Sequence, residues 1–319
     1  MFRNYKAFLG VLAATILAVI PAAAASSGVP GTLNYVEGQV TVAGQTVTSH
    51  SVGSVQVEPN QTLETGQGRA EMLLTPGVFL RVGDNSSVRL VSPSLNDTRV
   101  EALRGQAIVE VAEIFKDNNI WVAMNGASTR LAKEGLYAFN ADSHLIQVFD
   151  GKARVEQNDQ TIDLKKGREL IIGGAWKAAH FDTKSQAAQD SLYAWSNLRS
   201  KYEAEASMQS ARNVFVGGGA YWDGPGWYWN PYWATYGFIP GDGIWYSPFG
   251  WPFYSPWIVY SAPGWYGHGF RGHEGHGFVT ERGHGHASGG AITSGGRFAG
   301  SGAHMGGGMR GGIGGGGHR

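Results

Sequence analysis

The tightest constraint on how this chain can fold is a series of short apolar runs between Thr32 and about Ile172. Gly, Asn, Asp or Pro breaks each run after a few residues. Such punctuation marks strands and turns rather than long helices. In Val78-Phe79-Leu80-Arg81-Val82 and Val88-Arg89-Leu90 the Val and Leu positions share one face and the arginines fall on the other. That alternation predicts one buried and one solvated face. A turn glycine precedes an alternating stretch at Glu37-Gly38-Gln39-Val40-Thr41-Val42, Arg104-Gly105-Gln106-Ala107-Ile108-Val109 and Asp150-Gly151-Lys152-Ala153-Arg154-Val155. A looser copy is Lys166-Gly167-Arg168-Glu169-Leu170-Ile171. Glycine suits these places because a hairpin turn needs positive φ. The irregular spacing of the copies argues for reused hairpins rather than a solenoid. The expected fold class is all-β: a sandwich, jelly roll or β-roll of short antiparallel strands over 33–175.

Ahead of the strands, Arg3 and Lys6 precede an apolar stretch from Ala7 to Ile20, which ends at Pro21 and a run of alanines. This pattern predicts a secretory signal peptide over residues 1–25, cut just before Ala25 or Ser26, and it is short for a retained membrane span. No later run is long enough to cross a bilayer, so the mature chain is expected in the periplasm or at the cell surface. The chain has no cysteine, which removes disulfides, thiolate metal sites, thiol nucleophiles and a lipoprotein acylation site. Lys+Arg and Asp+Glu both total 25, so net charge recruits neither nucleic acid nor anionic lipid.

Past the strands the period changes. Thr183 with Gln186 fits a capping box, and Leu192, Trp195, Leu198 or Arg199, Tyr202 and Ala206 recur at helical spacing. An amphipathic helix is therefore predicted over 183–212, with Leu192, Trp195 and Tyr202 docking on the β domain or forming a linker. From 213 to 270 Trp and Tyr alternate with Gly and Pro, and from 271 to 319 Gly and scattered His dominate. The latter composition cannot bury enough apolar area to offset its ordering entropy and predicts disorder. For the aromatic segment two readings stand: an interaction surface, or a collapsed extension packed on the β domain.

The stretch Leu63-Glu64-Thr65-Gly66-Gln67-Gly68-Arg69-Ala70-Glu71-Met72-Leu73-Leu74, with Gly77-Val78-Phe79-Leu80-Arg81-Val82 and Ser87-Val88-Arg89-Leu90 after it, resembles the signature of the FecR domain. Trp121-Val122-Ala123, Gly135-Leu136-Tyr137-Ala138-Phe139 and Val148 through Val155 are similar to its later strands, and Asp190 through Ser200 to the helix that follows such domains. The resemblance spans about Leu33 to Arg212. FecR-like regulators pair a cytoplasmic part that controls a sigma factor with a periplasmic sensing domain. Here an export signal stands directly before the β domain, so the resemblance implies a stand-alone periplasmic or surface domain, and it carries no catalytic residues.

Other motifs lack the context their chemistry needs. His273-Glu274-Gly275-His276 is one residue short of a zinc-protease motif, and its glycines oppose the required helix. Gly267-His268-Gly269-Phe270-Arg271-Gly272 has no strand before it, and Arg310-Gly311-Gly312 sits where arginines are sparse. No serine occupies a nucleophile elbow, and His50, His144 and His180 read as strand or loop residues. Glu101, Glu110 and Glu113 fall in strands, where surface charge is the ordinary case.

The reading is thus a non-enzymatic binding or structural module of the cell envelope, without cofactor or metal. Its candidate binding residues are Trp227, Trp229, Trp233, Trp251 and Trp257, with an envelope glycan or protein, or a second copy in weak self-association, as partner. A periplasmic sensor acting through a membrane partner and an envelope glycan hydrolase are the alternatives. Residues from about Leu33 to Arg212 are expected to fold without the segment that follows.

Overall fold

A computed structural model of the chain describes residues 28–217 and 222–261. The expected signal peptide and the Gly/His-rich segment 271–319 lie outside the described residues. The strands begin with Leu33–Val42 (β1), Gln45–Val47 (β2), Thr62–Leu73 (β3), Val78–Val82 (β4), Ser87–Ser94 (β5) and Asp97–Arg104 (β6). Gln106–Val111 (β7), Ile120–Met124 (β8), Ala127–Leu131 (β9), Gly135–Asn140 (β10) and Leu145–Asp150 (β11) follow. Lys152–Gln157 (β12), Gln160–Lys165 (β13), Arg168–Ile171 (β14) and Ala179–His180 (β15) complete the main sheet.

That sheet runs β13-β12-β9-β8-β6-β5-β3-β4-β7-β10-β11-β14-β15, with β1 and β2 branching from β3. Its ladders are antiparallel apart from the parallel pair β6–β8. The long strand β3 pairs with β5 through Thr62–Glu64 and with β4 through Ala70–Leu73, so it belongs to both halves. The sheet folds over on itself there: β10 approaches β6, and β11 and β14 approach β13. Val36, Leu80, Val100, Val122, Val148 and Val155 meet in the interior between the halves. The all-β expectation holds, with the fold-over of a sandwich or roll.

The repeated glycines take the predicted backbone but not the predicted role. Gly105, Gly151 and Gly167 have φ of 68°, 93° and 73°. Yet β6 does not pair with β7, nor β11 with β12, nor β13 with β14. Each of these glycines instead carries the chain across from one half of the folded sheet to the other. Gly38 lies within β1, at a register irregularity opposite Gly68. Two-residue turns with positive φ at both positions do the hairpin work at Ala43-Gly44, Asn125-Gly126 and Asn158-Asp159, whose twist matches that of the flanking strands.

After β15 come Thr183–Gln189 (α1) and Ser191–Val216 (α2). The predicted helix is therefore two, broken at Asp190, whose extended backbone cannot continue α1 and whose side chain accepts from the Leu192 and Tyr193 amides. The first cap is Asp182, accepting from Lys184 and Ser185, rather than Thr183. The aromatic segment is ordered through residues 222–261. Gly226–Asn230 (β16) pairs with Thr235–Ile239 (β17), Ile244–Tyr246 (β18) pairs with Pro252–Tyr254 (β19), and Pro256–Ser261 forms α3.

Candidate functional site

Phe79 and Arg81 alternate with Val78, Leu80 and Val82, so they leave β4 on the face away from the main core. That face is not wet: Phe79 and Arg81 are fully buried, and so are Glu71 on β3 and Glu110 on β7. Helix α2 and the β16–β17 hairpin cover it. Arg81 sends Nε to Glu71 (2.7 Å), Nη1 to Glu110 and Nη2 to Glu203 of α2 (2.8 Å). Arg199, one turn before Glu203, donates to Glu71 Oε1 (3.0 Å) and Glu203 Oε1 (3.4 Å), and its guanidinium stands 4.1 Å from the Tyr35 ring centre. Ser200 donates to Glu110 at 2.8 Å. Asn34 of β1 completes the connection: it donates to Glu71 and to the Tyr236 carbonyl, and its Oδ1 accepts from the Tyr236 amide at 2.7 Å.

Three carboxylates share two guanidiniums, so their protonation is uneven. Burial would raise the Glu71 carboxyl, but Arg199 and Arg81 overcome it and hold the group well below the usual range. Burial, and next the Glu71 carboxylate beside it, push Glu203 far up. Glu110 is raised by burial against the pull of Arg81. Of the three carboxyls, burial and the neighbouring Glu71 thus bias Glu203 most strongly toward its protonated form.

The five tryptophans divide by location. Trp227 is buried in a cluster with Leu73, Phe79, Phe238 and Phe253, its ring 4.7 Å from Phe79, edge to face. Trp229 is half-buried against Tyr236 and over Gly53. Trp251 is half-buried, donating Nε1 to Asn197 at 2.7 Å with Lys201 over its ring. Trp257 is 64% exposed beside Phe215, and Trp233 is 38% exposed. Thus the ring face that the sequence assigned to binding is in large part core, because Phe79 on the covered face of β4 needs apolar partners.

Trp233 belongs to an exposed set. Its ring lies 5.6 Å from Tyr232, itself 78% exposed, and 5.8 Å from Tyr202 of α2, with Leu198 exposed one turn earlier on the helix. Buried Asn230 holds their loop: its Oδ1 accepts from the Tyr232 and Trp233 amides, and its Nδ2 donates to the Ala206 carbonyl of α2. The loop backbone at Tyr232 and Trp233 is thereby held against α2. Tyr202 is on the rim of the helix face, not docked beneath it as the stripe implied. The stripe's other positions, Leu192, Trp195, Arg199 and Ala206, do face inward, and Glu203, which no apolar periodicity marks, is buried beside Tyr202.

The carboxylates weighed from sequence also separate. Glu101 pairs with Arg89 near the surface. Glu110 and Glu113 are buried rather than surface groups. Burial, with Asp242 and Glu134 nearby, pushes Glu113 up to about 7. His50 sits in a short 3-10 turn, His144 in the β10–β11 turn and His180 in β15. Among the described residues no group of three or more His, Cys, Asp or Glu could hold a metal ion. No described helix is long and apolar enough to cross a membrane.

No family model matches this chain, and no curated protein matches it. Two crystal structures of a candidate anti-sigma factor from Parabacteroides distasonis are similar over 40% of this chain, at 15% and 14% identity, with TM-scores of 0.34 and 0.35. The matched part spans 62% and 63% of those chains, less than two thirds of their length.

Proposed function

We propose that the chain is a non-catalytic binding module of the cell envelope, with a β domain of the FecR type, exported to the periplasm or cell surface. Its ligand is an envelope glycan met by the Tyr202, Tyr232 and Trp233 rings. The supporting observation is the anchored loop that keeps Tyr232 and Trp233 in solvent while Trp227, Tyr236 and Phe238 of the same hairpin are buried. Aromatic rings combine a broad apolar face with a polar edge, a chemistry suited to the C–H faces and hydroxyls of sugars. The cleft near Arg154, with a single carboxylate, Asp163, among its lining residues, does not offer the paired carboxylates that glycoside hydrolysis uses.

The test is co-sedimentation of the full chain with insoluble peptidoglycan. The native chain should pellet with it, and the double variant Tyr232→Ala, Trp233→Ala should stay in the supernatant with an unchanged thermal midpoint. A native chain that stays soluble, or a double variant that pellets equally well, would remove the proposal.

A further inference from the structure

We infer that a cleft on the outer face of β9, β12 and β13 binds a multiply charged phosphate group, a site separate from the aromatic platform and sharing no residue with it. The cleft has a volume of about 400 Å³ and is walled by Lys116, Arg130, Lys152, Arg154 and Asp163, with Phe115 at its edge. In a chain whose charges balance at 25 of each sign, four cations against one carboxylate form a pronounced local excess.

The register sharpens the point. Arg154 of β12 stands directly opposite Arg130 of β9 and, on its other side, opposite Asp163 of β13. Like charges placed opposite each other on adjacent strands destabilise a sheet. Asp163 offsets one unit of this charge only, because its single carboxylate is shared by Arg154 Nε (3.0 Å) and Lys152 Nζ (2.7 Å). The hydrogen bonds to these two cations hold its carboxyl down at about 2, so it is ionised and fully engaged. Arg130 donates to neutral Asn119 Oδ1 at 2.8 Å, and among the described residues neither it nor Lys116 forms an ion pair. A local conflict of this kind is expected where function, not stability, selects the residues.

The ligand class follows from the charges. A single carboxylate would leave most of the cations uncompensated. Guanidinium forks match phosphate oxygens in pairs, and the ammonium groups add point charge, so a phosphomonoester or diphosphate fits the set. Phe115, half-buried beside the cations, offers contact to an apolar portion of the same molecule. The phosphate could belong to a soluble compound or to a lipid headgroup.

Titration calorimetry of the full chain with inorganic pyrophosphate, and flotation with phosphatidylcholine vesicles with or without phosphatidic acid, distinguish the two sources. Arg130→Gln and Arg154→Gln should each weaken binding by about tenfold or more, the loss of one charge-assisted hydrogen bond. Arg104→Gln, on an exposed residue outside the cleft, should leave binding unchanged. Arg130→Gln should not lower the thermal midpoint, since it removes the like-charge opposition, and so loss of binding is separable from loss of fold. Pyrophosphate binding without flotation assigns the site to a soluble phosphate compound; flotation confined to phosphatidic acid vesicles assigns it to a lipid headgroup. Absence of both, or binding that survives both substitutions, overturns the inference.

Discussion

Without the Arg81 guanidinium, Glu71, Glu110 and Glu203 would face one another in a space closed to water. Breaking a buried ion pair from one side costs about 3–5 kcal/mol, because the remaining charge is uncompensated. Arg81→Leu should lower the unfolding free energy by about that much in urea titrations. Arg89→Leu, in a surface pair, should change it by about 0–1 kcal/mol. Glu113 gives a pH signature of definite sign. Its folded pKa of about 7 lies above its ordinary 4.5, so the native state keeps a proton that the unfolded chain releases. Its contribution is fully present below about 4.5 and is lost as pH rises through about 7. Glu113→Gln should therefore flatten the decline in stability across that window, measured as thermal midpoint against pH. Little of this was legible beforehand. Arg81 alternates with apolar residues like a solvent-facing strand residue, and only Phe79 on the same face hinted that something covers it. Asn34 had no local signal and Glu203 only its i,i+4 relation to Arg199, since their other partners lie up to 202 positions away.

Strands and their punctuation were the most readable level, because period two and turn chemistry are local properties. Pairing partners were not, because a positive φ at glycine serves a hairpin and a passage between layers equally well. Gly44 and Gly151 illustrate the difference. Around Gly44 a Cβ would meet nothing, so Gly44→Ala should cost only the left-handed backbone strain, about 1–2 kcal/mol. At Gly151 the Cβ would also strike the Tyr137 hydroxyl and the Glu134 carbonyl, so Gly151→Ala should cost clearly more in the same denaturant titration. The spacing places Leu192, Trp195 and Ala206 of α2 inward, where they lie, but puts Tyr202 there too and misses much of the buried face. The inward residues include Ser196, Arg199, Ser200, Glu203 and Ser207, a polar and small set that apolar periodicity cannot detect. The helix packs because Arg199 donates to Glu71, Glu203 accepts from Arg81 and Ser200 donates to Glu110, and because Ser207 donates to the Phe238 carbonyl.

For the whole described molecule, the sequence boundary near Arg212 marks a change of composition and not the end of the fold. Tryptophan and glycine in a Pro-broken segment leave both an interaction surface and a collapsed extension open, and the long-range partners of Trp227, Tyr236 and Phe238 make much of that segment core, as the second of these has it. The expectation that 33–212 folds alone thus conflicts with the packing of β16 through β19 on α2 and β4. Without the segment, Phe79 and Leu73 would lose the Trp227, Phe238 and Phe253 rings, and Asn34 and Arg199 would lose their hydrogen bonds to Tyr236 and Thr235. The direct test is guanidinium unfolding of the full chain beside one ending at Gly267 and one ending at Arg212. The full chain and the chain ending at Gly267 should unfold cooperatively at the same midpoint, while the chain ending at Arg212 should unfold at a clearly lower one or aggregate. An unchanged, cooperative midpoint for the chain ending at Arg212 would contradict the placement of the aromatic segment in the core.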